Sequence, residues 1–362
     1  MLYSLAQFFL FRLDAETAHN LTIRVMQSRF FPRLDVPESP VLRLRLWHKS
    51  FPNPIGLAAG FDKNAQVITP ALGLGFGFTE VGTVTPRPQD GNPKPRVFRS
   101  PKHHAVINRM GFPNAGLHVF QENLTRFLEQ KPRPSGLVGL NIGLNKASIG
   151  DARKSVRDYT ILIRALAPMA DYLSVNISSP NTPGLRDFQK PDAFKALVTK
   201  LQAELKKTCG DHPPPLLVKL APDLQDRECE ELASVALELN LDGLILTNTT
   251  LSRPDHLPRR FAGKQGGLSG KPLFKPSTET LKTFYRLTAG KIPLIGVGGV
   301  ESADDAYAKI RAGASLVQLY TGMVYQGPEI ARNIVTGLES KLKHDGFNHI
   351  SEAIGIDAGI SG

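Results

Sequence analysis

A polar loop at residues 176–187 carries the side chains of this sequence best placed to do chemistry. It reads Asn-Ile-Ser-Ser-Pro-Asn-Thr-Pro-Gly-Leu-Arg-Asp and follows a short apolar stretch typical of a buried strand. Its hydroxyl and amide groups can donate and accept hydrogen bonds. Pro180 and Pro183 restrict the residues before them, so we expect Ser179 and Thr182 to be extended, with side chains held in fixed directions. Taken alone, the loop also fits an ordinary turn between a strand and a helix.

Eight short apolar runs alternate with segments of helical periodicity along most of the chain. Such alternation predicts an α/β fold of the (β/α)8 TIM-barrel class, in which helices surround a closed parallel sheet. A length of 362 residues allows one such barrel or two ordinary domains. The apolar runs cover residues 54–59, 76–85, 137–142, 172–177, 216–220, 243–247, 294–297 and 316–320.

Polar residues follow most of these runs. In a TIM barrel the loops at the carboxyl ends of the strands form the open face, where functional side chains lie. Core packing does not require two lysines and three asparagines at corresponding ends of different strands, so this pattern favours a binding or catalytic face. The residues at these ends include Ala59, Gly60, Lys63, Thr83, Asn141, Asn176, Lys219, Thr247, Asn248, Thr249, Gly299, Tyr320 and Thr321.

Glycines around the last two predicted strands indicate a phosphate site. Residues 296–299 read Gly-Val-Gly-Gly, and glycines let backbone N–H groups approach an anion closely. Two other glycine motifs lack the necessary context. Residues 73–77 have no strand before them, and Gly270-Lys271 is followed by proline where a P-loop needs Ser or Thr.

The composition is that of a soluble globular protein, with 41% hydrophobic residues and a formal net charge of +11. This charge suggests an anionic partner, which could be nucleic acid, an acidic membrane surface or a small anionic molecule. We interpret the basic residues of 253–275 as a solvated loop. Cys209 and Cys229 lie in segments that look helical and lack metal-type spacing, so neither a metal site nor a disulfide is expected.

The first 40 residues predict a pair of short helices followed by a proline-rich linker. The apolar run from residue 2 to 11 is too short to span a bilayer and has no features of a secretory signal. Asp14 can cap a second helix with an apolar stripe. Such a pair could lie on an anionic membrane surface or simply cap the main domain. We therefore divide the chain into residues 1–40, a barrel at 41–345 and a tail at 346–362.

Five motifs together make the chain resemble the class 2, quinone-linked dihydroorotate dehydrogenases over essentially its whole length. The resemblance implies oxidation of (S)-dihydroorotate to orotate in pyrimidine biosynthesis, with one FMN per chain and a membrane quinone as electron acceptor. The motifs are Ala59-Gly60-Phe61-Asp62-Lys63, Gly91-Asn92-Pro93-Lys94-Pro95-Arg96, Asn108-Arg109-Met110-Gly111-Phe112, Asn176 to Gly184, and Thr247-Asn248-Thr249.

The resemblance also implies roles for individual residues. Lys219 would stabilise the negative charge that develops on the flavin during reduction. Ser179 would be the base that removes a proton from C5 of dihydroorotate while a hydride leaves C6 for the flavin. The implied FMN residues are Ala59, Gly60, Lys63, Thr83, Asn141, Asn176, Lys219, Thr247, Gly270, Gly299, Tyr320 and Thr321. The implied substrate residues are Lys63, Asn108, Arg109, Met110, Gly111, Phe112, Asn176, Asn181, Asn248 and Thr249.

In this family the N-terminal helix pair forms the mouth of an apolar tunnel for the quinone, and His19 and Arg99 match positions at its inner end. The resemblance therefore implies a peripheral enzyme on an anionic membrane surface, with no nucleic-acid partner. Because Met1 directly precedes the helix pair and no Arg-rich transit segment is seen, we expect the cytoplasmic face of a bacterial inner membrane.

Two other functions fit parts of the sequence. A related FMN barrel, such as a tRNA dihydrouridine synthase, would use the basic charge to bind RNA, but it would need a catalytic cysteine, and neither cysteine lies at a strand end. A non-catalytic barrel that binds membranes or nucleic acid would not require the combination of Lys63, Lys219, Ser179 and the asparagines.

Overall fold

The computed structural model describes residues 2–36 and 38–359; Met1, the linker residue Pro37 and tail residues 360–362 lie outside the described residues. Its strands are β1 (Leu44–Leu46), β2 (Lys49–Phe51), β3 (Ile55–Leu57), β4 (Phe78–Val84), β5 (Val97–Ser100), β6 (Ala105–Asn108), β7 (Leu137–Ile142), β8 (Tyr172–Asn176), β9 (Leu216–Leu220), β10 (Gly243–Leu246), β11 (Gly267–Gly270), β12 (Leu294–Val297) and β13 (Leu316–Leu319). Its helices are α1 (Leu2–Leu10), α2 (Ala15–Met26), α3 (Ile68–Leu72), α4 (Gly116–Leu128), α5 (Ala152–Leu166), α6 (Pro191–Cys209), α7 (Asp226–Glu238), α8 (Arg259–Ala262), α9 (Phe274–Leu287), α10 (Ala303–Arg311), α11 (Thr321–Gln326) and α12 (Ile330–Asp345).

Eight parallel strands form the predicted closed barrel, in the order β3-β4-β7-β8-β9-β10-β12-β13. Each lies within one of the eight apolar runs, which confirms the fold class. The strands are buried on both faces because the helices cover the outside and side chains fill the inside. The β1–β2 hairpin closes the amino-terminal end, where Trp47, Phe51, Phe78 and Tyr172 pack ring against ring.

The helix α2 packs one face on the barrel and leaves another exposed. Asp14 caps it, since its carboxylate accepts hydrogen bonds from the backbone N–H groups of Glu16 and Thr17. Ala18 and Met26 are buried, whereas the apolar side chains of Leu21 and Val25 are exposed. Phe8 and Phe9 of α1 are also exposed, so the helix pair both covers the barrel and presents an apolar surface. No helix within the described ranges is long and apolar enough to cross a membrane.

A three-stranded sheet lies outside the barrel and was not predicted. Its antiparallel strands, in the order β11-β6-β5, place Asn108 of β6 opposite Gly267 of β11. The segment before β11 contains Arg253, whose side chain is not simply solvated, as was expected for the basic residues of this loop. Its guanidinium donates to six carbonyls of residues 250–266 and therefore holds this segment together.

The last described residues pack on the barrel's outer layer. Ile350, Ala353 and Ala358 are buried, and the Gly355 N–H donates to the Ile310 carbonyl at the end of α10. Residues 346–359 are thus fixed by apolar packing and a backbone hydrogen bond.

Candidate active site

A mostly apolar cavity of about 650 Å³ runs from the helices α1 and α2 to the carboxyl ends of the barrel strands. Its wall therefore contains residues of the N-terminal hairpin together with residues from the strand ends. Of the residues predicted from sequence, it includes His19, Ala59, Gly60, Lys63, Thr83, Arg99, Asn108, Met110, Gly111, Phe112, Asn176, Ser179, Asn181, Lys219, Thr247, Asn248, Thr249, Gly270, Gly299, Tyr320 and Thr321.

The structure places two of the predicted residues outside this wall. Arg109 turns away from the cavity, and its guanidinium donates to the Pro95 carbonyl at 2.9 Å. Asn141 is fully buried beneath the cavity. Its side chain donates to Glu80 Oε1 at 2.8 Å and accepts from the Thr83 hydroxyl, so in this structure it forms part of the cavity floor.

The floor is a polar layer inside the barrel. The Glu80 carboxylate accepts hydrogen bonds from Asn141 and also from Tyr172, Ser174 and Gln318, all of which are buried. Four donors satisfy the buried charge and fix its position. No sequence signal identified Glu80, because it lies in the middle of a strand rather than at its end.

Lys219, at the inner end of the cavity, is a buried lysine without a salt-bridge partner in the described residues. Burial lowers its pKa, while the charge of Glu80 acts in the opposite direction. A buried ammonium group that faces a cavity is favourable only when an acceptor or an anion faces it.

Lys63 lies in a turn that Asp62 holds in place. The Asp62 carboxylate accepts from the backbone N–H groups of Gln66 and Val67 at 2.8 and 2.7 Å. Lys63 Nζ lies 3.1 Å from His19 Nε2 on α2. Burial lowers the pKa of Lys63 to about 8, so this lysine is still largely protonated near neutral pH.

Amide side chains from three strand ends and one loop line the same cavity as Lys219. Asn176 donates to the Thr83 hydroxyl at 3.0 Å, and Asn248 donates to Asn176 Oδ1 at 3.2 Å. Asn181 donates to Asn108 Oδ1 at 3.1 Å. Asn181 Oδ1 and Thr249 Oγ1 are buried without a hydrogen-bond partner in the described structure. Because both residues line the cavity, these two acceptors fit a ligand that offers N–H donors.

Ser179 is buried in the cavity wall. Its Oγ accepts a hydrogen bond of 3.3 Å from the Asn181 N–H, the only hydrogen bond recorded for this hydroxyl in the described part of the chain. The loop is fixed by Arg186, which donates to the Ser178 carbonyl at 3.0 Å and pairs with Asp223 at 2.8 Å. Arg186 belongs to the polar loop of the sequence, but only its contacts identify this positioning role.

The glycine turn after β12 has no room for a side chain at Gly299. A Cβ at Gly299 would lie 2.5 Å from Phe274, and both Gly298 and Gly299 have positive φ. The backbone N–H groups of Gly298, Gly299, Thr321 and Gly322 have no acceptor among the described residues. Their donors make the turn suitable for an anion.

At the outer end, Arg99 ties the hairpin to β5. Its guanidinium donates to the Leu10 and Leu13 carbonyls at 3.2 and 2.5 Å and lies 4.8 Å from the Phe11 ring centroid. The Tyr320 hydroxyl lies 3.3 Å from His19 Nδ1. His19 therefore lies between the apolar outer end and the polar inner end of the cavity. No three metal-binding side chains cluster within residues 2–36 and 38–359.

Comparison with known proteins gives a consistent result. The family model for dihydroorotate dehydrogenase matches residues 41–342. The chain is 49% identical over 358 residues to dihydroorotate dehydrogenase (quinone) of Azorhizobium caulinodans, covering 98% of this chain and 99% of that protein. It is 48% identical over 349 residues to the mitochondrial dihydroorotate dehydrogenase (quinone) of Mus musculus, covering 95% and 87%. A crystal structure of DHODH from Eimeria tenella in complex with ferulenol superposes with a TM-score of 0.89 at 41% identity, covering 94% and 95%.

Proposed function

The chain belongs to the dihydroorotate dehydrogenase family, and we propose that it binds FMN in the inner half of the cavity and a membrane quinone in the outer half. It oxidises dihydroorotate to orotate in pyrimidine biosynthesis, with a quinone as electron acceptor. The observation that carries the proposal is the continuity of the cavity, which joins a buried lysine at the strand ends to an apolar mouth between two helices.

The residues of the inner half fit FMN. The free N–H groups around Gly299 and Thr321 would hold its phosphate, since glycine leaves room for a close approach. Lys219 would supply the positive charge next to the ring system. Ala59, Gly60, Thr83, Asn176, Thr247, Gly270 and Tyr320 would complete the lining, with Asn141 below them. Bound FMN would accept a hydride from dihydroorotate and pass the electrons to the quinone.

Dihydroorotate would lie against the asparagines and Lys63. Its ring edge alternates N–H and C=O groups, which match the donor and acceptor pairs of Asn108, Asn181 and Asn248. Thr249 Oγ1 and Asn181 Oδ1, which have no hydrogen-bond partner among the described residues, would gain partners from the ring. Lys63 would bind the carboxylate through a charge-assisted hydrogen bond. Met110, Gly111 and Phe112 would cover the ring, and Arg109 would act through its backbone.

Ser179 would take the proton from C5 of dihydroorotate at its Oγ atom. A serine hydroxyl is a weak base, and no imidazole or carboxylate of the described residues is hydrogen bonded to it. Its efficiency would therefore depend on exclusion of water from the closed pocket and on the Asn181 N–H, which fixes the direction of the hydroxyl.

The outer half would admit the quinone from a membrane. Phe8 and Phe9 are 54% and 60% exposed, and an apolar surface of this kind is favourable when it inserts among lipid chains. His19 and Arg99 would contact the quinone head group from the cavity wall. We place the enzyme peripherally at an anionic membrane surface, on the cytoplasmic face.

The visible spectrum of the purified protein tests this proposal. We expect flavin absorption bands that disappear when dihydroorotate is added without oxygen and return when a quinone is supplied. A protein that shows no flavin bands after incubation with FMN, or whose bands persist with dihydroorotate, contradicts it.

A further inference from the structure

We propose that Glu16 and Arg96 couple the N-terminal hairpin to the loop that carries Ser179, which makes Glu16 a positioning residue for dihydroorotate although it lies on a helix outside the barrel. The inference rests on the proposed binding of dihydroorotate beside Ser179. It adds that the helix pair also keeps the substrate end of the cavity in its binding conformation.

The ion pair between Glu16 and Arg96 is buried and bidentate. Arg96 Nε donates to Glu16 Oε2 at 2.9 Å, and Arg96 Nη2 donates to Glu16 Oε1 at 2.6 Å. The two side chains are 10% and 6% exposed. Paired hydrogen bonds of this geometry define both the distance and the relative orientation of the two groups. This pair therefore fixes the start of α2 relative to the segment that precedes β5.

The same guanidinium also shapes residues 90–96. Arg96 Nη1 donates to the Asp90 and Asn92 carbonyls at 2.5 and 2.8 Å. Between them Gly91 has a φ of +80°, and a Cβ there would lie 2.3 Å from the Met110 carbonyl oxygen. One arginine thus binds α2 on one side and this tight turn on the other.

Asn92 carries the connection from this turn to the catalytic loop. Its Nδ2 donates to the Arg109 and Asn181 carbonyls, each at 3.0 Å. Asn181 in turn donates its N–H to Ser179 Oγ and its side-chain amide to Asn108. Contacts through Arg96, Asn92 and Asn181 therefore connect Glu16 with the Ser179 hydroxyl.

Other contacts keep α2 in place when this connection is broken. Ala18, Ile23 and Met26 are buried against the barrel independently of Glu16. Loss of the carboxylate would leave Arg96 buried without its counter-charge, and a buried unpaired charge is strongly unfavourable. The turn at residues 90–96 would then rearrange, and the Ser179 loop would lose the contact from Asn92.

The test compares Glu16→Gln and Arg96→Lys holoenzymes with the unaltered protein. We expect each variant to bind orotate at least about fivefold more weakly in calorimetric titration, at the lower end of typical coupling between sites. The fold-increase in the KM for dihydroorotate should exceed the fold-decrease in the rate of flavin reduction at saturating substrate. Hydrogen exchange at residues 176–190 should accelerate in both variants. The double variant should bind orotate as tightly as the single variant with the lower affinity, because both substitutions remove the same ion pair.

Lys94→Ala is the matched control. Lys94 also approaches Glu16, at 3.5 Å, but its side chain is 66% exposed, so its removal should change neither orotate affinity nor hydrogen exchange. The proposed coupling is contradicted if Glu16→Gln retains normal orotate affinity and normal hydrogen exchange at residues 176–190. It is also contradicted if Lys94→Ala loses orotate affinity to the same extent. Failure of the unaltered holoenzyme to bind orotate would instead contradict the proposed function.

Discussion

His19 Nε2 lies 3.1 Å from Lys63 Nζ, so a residue of the N-terminal hairpin is in direct contact with a lysine of the strand ends. Burial is the main cause that holds the pKa of His19 well below its usual value, and the positive charge of Lys63 adds to it. The imidazole is therefore neutral. An ammonium group can only donate, so Nε2 accepts and Nδ1 carries the proton. The Nδ1–H then points at the Tyr320 hydroxyl, 3.3 Å away. Lys63, His19 and Tyr320 form one hydrogen-bonded chain across the middle of the cavity.

Ser179→Ala should lower the rate of flavin reduction by dihydroorotate at least about 100-fold, the usual lower bound for loss of a general base. FMN should remain bound, because the glycine turn that we assign to its phosphate is untouched. Anaerobic stopped-flow absorbance measures the rate, and the flavin spectrum reports occupancy. Ser179→Cys, which places a thiol that can accept a proton as thiolate at the same position, should retain part of the rate. Near-normal reduction by the alanine variant would show that Ser179 is not the base.

Orotate affinity should fall as the pH rises through about 8, the value to which burial lowers the pKa of Lys63. Below this pH Lys63 is protonated and can pair with the carboxylate; above it the lysine is neutral and cannot. Affinity should therefore decrease about tenfold per pH unit above the pKa, because only the protonated fraction binds. Calorimetric titration between pH 7 and 10 measures this dependence.

Lys63→Arg is the control for this titration. Arginine stays charged throughout that range, so its orotate affinity, even if lower, should not change with pH between 7 and 10. The assignment fails if the unaltered enzyme shows no pH dependence or if the arginine variant shows the same one.

Lys219→Met should make bound FMN harder to reduce. Lys219 is a buried lysine without an ion-pair partner in the described structure, and a protonated Lys219 would act on bound FMN with little screening. Each ~1.4 kcal/mol of stabilisation lost by the reduced flavin lowers the reduction potential of this two-electron couple by about 30 mV. Equilibration with redox dyes measures the potential. Lys195→Met, on an exposed part of α6, should leave it unchanged, and an equal potential in both variants would contradict the role of Lys219.

A Phe8→Ser, Phe9→Ser double variant should bind anionic lipid vesicles at least about tenfold more weakly, since a buried phenylalanine contributes roughly 1.5–3 kcal/mol. Both side chains are more than half exposed, so the substitutions should leave the fold intact. Vesicle co-sedimentation measures binding. Leu251→Ser removes an apolar residue of similar exposure, 52%, outside the hairpin and should have no effect. Unchanged binding of the double variant would place the membrane contact elsewhere.

The sequence by itself determined the barrel and most of the polar residues of the cavity wall. Each barrel strand is short, apolar and buried on both faces, so alternation with helices is sufficient to predict it. Because parallel strands end on the same face, residues after different strands, such as Lys63 and Lys219, could be assigned to one site without knowing any distance.

Only the tertiary structure decided which polar groups reach the cavity. Asn141 and Arg109 both belong to the predicted set, yet Asn141 is hydrogen bonded to Glu80 in the floor and Arg109 donates to the Pro95 carbonyl outside the wall. The links from Glu16 to Arg96 and from His19 to Lys63 join residues 80 and 44 positions apart. Such contacts depend on how α2 packs against the barrel. Local propensity and periodicity describe neighbours along the chain, and they contain no information about that packing.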